Sequence, residues 1–182
     1  EKGVNFIDAA ELYPVPANAE TYGDTERIIG NWLKKTGNRD KVVLASKIAG
    51  GGDYTAHIRK NGFSKKGITE AIENSLKRLQ TDYMDLYQLH WPSRGVNCFG
   101  VRDYPYKTAS KEAENHLEIL ETLSDFIKQG KIKHIGLSNE TPWGTMKYLQ
   151  ASEQYNLPKP VTIQNSYSLI HRGYEVGMSE VS

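Results

Sequence analysis

The chain has 182 residues, with 23 Lys and Arg against 22 Asp and Glu and a formal net charge of +1. That balance argues against a general nucleic-acid binder, which carries a basic patch or a pI above about 9, and no apolar run approaches the roughly 18–20 residues of a membrane helix. The hydrophobic fraction of 38% is ordinary for a globular chain, and the one cysteine, Cys98, allows no internal disulfide and fits a reducing, cytoplasmic compartment.

Length predicts one domain over 1–182. The first predicted element is a strand over 4–8, Val4-Asn5-Phe6-Ile7-Asp8. A helix follows over 24–36, with Ile28, Ile29, Trp32 and Leu33 on one face and Gly37 as its stop. The second strand spans 41–47 and leads into a long connection over 50–63 that opens with Gly50-Gly51-Gly52. Ser64 is placed to cap a helix over 65–80, in which Ile68, Ala71, Ile72, Leu76 and Leu79 recur at helical spacing. A third strand over 83–91 precedes a second long connection over 92–110. Then come a helix over 111–129 ended by Gly130, a strand over 132–138, a helix opening at Thr141-Pro142 and running to Tyr155, and a strand over 161–164. The start of another helix follows.

Strands that alternate with helices predict a parallel sheet covered by helices. Two architectures satisfy that order. An open dinucleotide-binding sheet carries Gly-x-Gly-x-x-Gly at a strand-to-helix turn, which is absent; the glycine triplet leads into no immediate helix. A (β/α)8 barrel instead gathers its functional residues at the C-terminal ends of several strands. Alternation along the strands places Val4, Phe6 and Asp8 on one face, Val43, Ala45 and Lys47 on another, and Met84, Leu86, Gln88 and His90 on a third. The fourth strand ends in Ser138-Asn139 and the fifth in Gln164-Asn165. All five runs finish in polar groups, as the barrel predicts.

Taken singly, each residue has a plain structural explanation. Asp8 reads equally as a cap, Lys47 as an amine carried past its apolar stem, His90 as a satisfied buried histidine, and Tyr13 as a packing residue. As a set, an Asp, a Tyr five residues later, a Lys ending the next strand and a His ending the one after project into one mouth. The five histidines show no metal-ligand spacing with carboxylates or Cys98, so no metal site is expected.

These residues resemble the aldo-keto reductases. The matching stretches are Asn5-Phe6-Ile7-Asp8-Ala9-Ala10-Glu11-Leu12-Tyr13, Val43-Leu44-Ala45-Ser46-Lys47, Ser75-Leu76-Lys77-Arg78-Leu79-Gln80-Thr81-Asp82-Tyr83, Asp85-Leu86-Tyr87-Gln88-Leu89-His90-Trp91-Pro92 and Gly130-Lys131-Ile132-Lys133-His134-Ile135-Gly136-Leu137-Ser138-Asn139. Tyr13-Pro14-Val15-Pro16, Asn31-Trp32-Leu33 and Asn97-Cys98-Phe99-Gly100 look like its bacterial Tas-type branch. The resemblance implies a (β/α)8 TIM barrel, NADPH as cofactor, and reduction of small aldehydes and ketones to alcohols by hydride transfer. It places the catalytic tetrad on Asp8, Tyr13, Lys47 and His90. In that scheme Tyr13 is the general acid, Lys47 lowers its pKa from about 10, Asp8 holds Lys47, and His90 orients the carbonyl. Ser138, Asn139 and Gln164 would hold the nicotinamide carboxamide, with Asp8 near the ribose. Without the resemblance, Ser138-Asn139 reads as a turn before the helix at Thr141-Pro142. Trp91 and the 92–110 loop, with Phe99, Tyr104 and Tyr106, would form a substrate wall.

Two other functions remain open on these residues: a Schiff-base lyase with Lys47 as nucleophile, and a cofactor-sensing regulatory protein with little turnover. Length bears on a third, an inactive piece of a reductase. Such a barrel needs about 250 residues, and five predicted strands correspond to strands two to six of eight. The expectation is therefore a domain cut at both ends, with two bare strand edges and a tendency to aggregate alone.

Overall fold

A computed structural model of the chain describes residues 3–60, 62–97, 99, 103–104, 106 and 115–182. Five parallel strands form one sheet: β1 (Phe6–Asp8), β2 (Val43–Ile48), β3 (Met84–Leu89), β4 (Ile132–Ser138) and β5 (Thr162–Gln164). They lie side by side in sequence order, each paired parallel to the next. An open doubly wound sheet reverses its strand order at a switch point. Here the order never reverses, as in a barrel wall.

A contact across the sheet shows that the wall is curled. Four inter-strand spacings of about 4.8 Å put the outer strands of a flat five-stranded sheet about 19 Å apart. Yet Gln164 at the end of β5 donates through Nε2 to Oδ2 of Asp8 at the end of β1, at 3.0 Å. Two side chains of that length meet only if the sheet folds back on itself, so the five strands form a half-barrel.

Four helices fill the crossovers: α1 (Asp24–Thr36), α2 (Lys65–Leu79), α3 (His116–Lys128) and α4 (Pro142–Tyr155). Their ends follow from local chemistry. The Ser64 hydroxyl accepts from Gly67 N–H at 3.1 Å, the Asn115 amide oxygen from Glu118 N–H at 3.2 Å, and the Thr141 hydroxyl from Gly144 N–H at 3.2 Å. Gly37, at φ 64°, closes α1 by donating its N–H to Leu33 O. Between sheet and helices lies one continuous core, with Leu44 and Ile48 of β2, Tyr87 and Leu89 of β3 and Ile135 and Leu137 of β4 against Ile68, Ile72 and Leu79 of α2 and Leu120 and Leu123 of α3. A short helix, α5 (Met178–Val181), docks Met178 beside α4.

The predicted elements are all present, with shifted ends. β2 starts at Val43 because Arg39–Lys41 makes a tight helical turn, held by the Arg39 guanidinium donating to Val42 O, Tyr83 O and Asp85. β1 starts at Phe6, and β3 ends at Leu89. His90 still donates its N–H to Ile48 O at 3.1 Å, whereas Trp91 lies past the ladder. α3 begins at His116; Cys98, Gly100 and residues 107–114, where the sequence reading placed a loop motif and the start of this helix, lie outside the described residues. Large apolar side chains on β1 and in the segment beyond β5 are open to solvent, among them Phe6 (51%), Leu169 (88%) and Ile170 (96%).

Candidate active site

All five strands point their last inward side chain toward one mouth. The register puts Lys47 opposite Gln88, Gln88 opposite Gly136, and Ser138 opposite Gln164. At its centre Lys47, 1% exposed, donates from Nζ to Asp8 Oδ2 at 2.7 Å and to Ala9 O at 2.9 Å. Asp8 is the hub: Gln88 Nε2 donates to its Oδ1 at 3.0 Å, while Gln164 shares Oδ2 with the ammonium.

Tyr13 follows Asp8 because the chain continues along β2 for one more turn before leaving the sheet. Ala9 N–H donates to Ala45 O and Glu11 N–H to Lys47 O, so residues 9–11 extend the parallel pairing past β1. The chain then turns, Tyr13 N–H donating to Ala10 O at 3.1 Å, and the Tyr13 carbonyl accepts from Gly23 N–H at the start of α1. The phenol ring meets His90 edge-on, with centroids 5.6 Å apart, and the Lys47 ammonium lies 5.3 Å from its centre. Asp8, Tyr13, Lys47 and His90 are thus together in one mouth, as the sequence reading expected.

The electrostatics differ from that reading in one respect. Burial, reinforced by the Asp8 carboxylate, raises the pKa of the Tyr13 phenol above its usual value. The expectation that Lys47 lowers it counted the ammonium alone. The Asp8 carboxylate, 2.7 Å from that ammonium, acts on the phenol in the opposite direction. Lys47 itself is shifted down, because burial outweighs the stabilisation from Asp8.

Burial, with a smaller contribution from Lys47, pushes His90 down to about 3 against an opposing pull from Asp8. Its Nδ1 has no hydrogen-bond partner among the described residues. The imidazole is therefore neutral throughout the physiological range. In the unfolded chain it takes up a proton below about pH 6.5, so its contribution is complete above that pH and is lost as pH falls toward 3. At pH 5 the loss amounts to about 2 kcal/mol. Thermal melts at pH 7 and pH 5 should show a larger acid destabilisation for the wild type than for His90→Gln, by about that amount.

The Ser138 hydroxyl donates to Gln164 O at 2.9 Å, and the Asn139 amide donates to His90 O at 2.9 Å and to Ser138 Oγ at 3.1 Å. Asn139 adopts a left-handed turn at φ 51°, as the turn reading expects, and its side chain reaches the end of β3. Trp91 lies against the backbone of the glycine triplet, where a Cβ on Gly50 would overlap the indole. Gly50 thus makes room for Trp91. Phe99 meets Trp91 edge-on at 5.6 Å and also lines a cleft of about 440 Å³ beside Asn139, along with Thr141, Asn165, His171 and Tyr174.

Gln88 is the site residue that the sequence reading did not assign. Its signal was present, two positions before His90 on the same strand face. Gly136, directly opposite, keeps that face open: a Cβ there would stand 3.1 Å from Gln88 Cγ. Among the described residues no cluster of three or more His, Cys, Asp or Glu gathers to hold a metal, and no helix is long and apolar enough to cross a membrane.

Comparison with known proteins agrees with this geometry. The model of the Aldo/keto reductase family matches residues 1–181. Protein tas of Escherichia coli is 50% identical over 183 aligned positions, covering all of this chain and 53% of that protein. Aldo-keto reductase YhdN of Bacillus subtilis is 34% identical over 96% of this chain and 43% of its own length. Among solved structures, the thermostable aldo-keto reductase Tm1743, crystallised with the inhibitor epalrestat, superposes with a TM-score of 0.69 at 27% identity, over 96% of this chain and 49% of that one. The chain spans about half the length of the curated relatives it matches. With its half-barrel of parallel strands and its family match from end to end, the chain belongs to the aldo/keto reductase family, in a Tas-like branch.

Proposed function

We propose that the protein reduces aldehydes and ketones to alcohols with NADPH, with Tyr13 as the general acid. The observation that carries this is the ion pair of Asp8 with the buried Lys47 ammonium, set beside a Tyr13 ring that stands edge-on to the His90 imidazole. That set supplies a proton and neutral and charged donors at one point, which is what an oxygen gaining negative charge requires.

The residues fit a nicotinamide. Its carboxamide needs donors and acceptors side by side, and Ser138, Asn139 and Gln164 bring a hydroxyl and two amides within hydrogen-bond distance of one another's segments. NADPH, when bound, supplies the hydride. Tyr13 Oη delivers the proton to the carbonyl oxygen, and its raised pKa keeps it protonated at neutral pH. His90 orients that oxygen through a ring N–H, in the absence of any charge of its own. Lys47 stabilises the phenolate left after the proton departs, and Asp8, steadied by Gln88 and Gln164, holds Lys47 in place. Trp91 and Phe99 wall the approach, which suits apolar carbonyl compounds. A single domain and a cytoplasmic location go with this reading.

Lys47 is a poor Schiff-base nucleophile here, since its amine is buried and engaged by Asp8 and Ala9 O. The cofactor-sensing alternative draws on the Tyr13 phenol, whose raised pKa makes it a slower acid. NADPH consumption by the intact protein against a panel of aldehydes separates the two. Turnover of several aldehydes is expected. Tight NADPH binding with no turnover would favour the sensor, and trapping of a substrate by borohydride would favour the lyase.

A further inference from the structure

Behind the mouth lies a buried charge pair that the proposed chemistry does not use. Glu11 is 1% exposed, and the guanidinium of Arg59 meets it through both nitrogens, Nη1 to Oε1 and Nη2 to Oε2, the latter at 2.6 Å. Oε1 also accepts from Ala49 N–H at 2.6 Å, while Glu11's own N–H donates to Lys47 O at 3.1 Å. One residue therefore grips the chain on both sides of Ile48, where β2 ends, and it lies two positions before Tyr13. Arg59 comes from the loop after β2 and ties that loop to the same point. A second buried pair backs the first: Glu26 of α1 accepts from Ser46 Oγ at 2.5 Å and from Arg78 Nε of α2 at 2.6 Å, and Arg78 lies 4.0 Å from Glu11.

Burying such a pair gives little net stability, because desolvation offsets most of the attraction and apolar replacements are often neutral. Its geometry suggests a different role. The turn carrying Tyr13 has backbone hydrogen bonds to β2 only as far as Glu11, so the side chain of Glu11 is the last lock on its register against Lys47. We propose that Glu11 and Arg59 are positioning residues that set the Tyr13 phenol at its working distance from Lys47. The proposal rests on the reductase reading for its kinetic consequence, though not for its structural one.

The test uses the intact protein and the double variant Glu11→Leu/Arg59→Met, which removes both charges together and so leaves neither buried alone. With a benzaldehyde and NADPH, kcat should fall about 100-fold while KM changes less than about threefold, as a misplaced but still bound reaction partner predicts. A second readout needs no turnover. In protein with tyrosine isotopically labelled at the phenol carbon, Tyr13→Phe assigns the Tyr13 resonance, and the double variant should shift that resonance and leave the other tyrosines in place. Arg59→Lys keeps the charge and loses the two-pronged contact; it should show a smaller fall in kcat in the same direction, and it decides the matter if the double variant does not fold. A folded variant with kcat within about twofold of wild type and an unmoved Tyr13 resonance overturns the proposal. A wild type that turns over no aldehyde, combined with a shifted Tyr13 resonance in the variant, contradicts the reductase reading and supports the positioning role.

Discussion

Tyr13→Phe should lower carbonyl reduction by about 10²–10⁴-fold while NADPH binding stays within a factor of a few, the range expected when a general acid is removed. The substitution deletes one oxygen from a half-buried ring that contacts His90 edge-on, so packing is retained. Tyr13 Oη makes no side-chain hydrogen bond whose loss would leave a partner unpaired among the described residues. The loss should therefore appear in kcat. The alkaline arm of the wild-type pH profile should lie above about pH 10, because burial and Asp8 both hold the phenol's proton more tightly than in water. Retention of turnover in the variant would remove Tyr13 from the chemistry.

Asp8→Asn should lower both stability and turnover. The variant keeps the shape and the contacts from Gln88 and Gln164 but leaves Lys47, 1% exposed, without its anion. Breaking a fully buried pair costs about 3–5 kcal/mol. Asp8 is 28% exposed, so solvent takes up part of that and about 2 kcal/mol is expected. For a protein of about 150–250 residues that lowers the melting temperature by roughly 4–8 °C, and by less for a longer chain. Lys47 should respond by losing its proton more readily still, since burial already pulls its pKa down and the opposing carboxylate is gone. Reduction should weaken by at least about tenfold as the phenolate loses its stabilising cation. Calorimetry and steady-state kinetics on the same preparation check both effects; an unchanged melting temperature would mean the pair is solvated rather than buried.

Much of the half-barrel was legible because parallel strands buried on both sides read as short apolar runs, and because caps such as Ser64 and Thr141 announce helix starts. The mouth was legible for a related reason. Side chains alternate along a strand, so Lys47 and His90 at neighbouring strand ends had to face the same way. The polar strand ends pointed to a curved barrel wall, but the particular contact that proves the curvature, Asp8 to Gln164 across the whole sheet, was not legible. Nor was the state of the Tyr13 phenol. Sequence shows that a lysine is near, but the phenol's pKa also answers to its burial and to the Asp8 carboxylate, which act the other way. Glu11 and Arg59 were hidden for the same kind of reason. Two charged residues 48 positions apart carry no sign that they are buried against each other.

The central claim is that this mouth passes a hydride and a proton to a carbonyl group. The fate of the hydride tests it most directly: the intact protein is incubated with an aldehyde and NADPH deuterated at the transferring position of the nicotinamide, and the alcohol is analysed by mass spectrometry. Our account predicts one deuterium on the carbinol carbon of the product in wild type and almost no product in Tyr13→Phe. Alcohol formed without deuterium, or equal labelled product from both proteins, would contradict it.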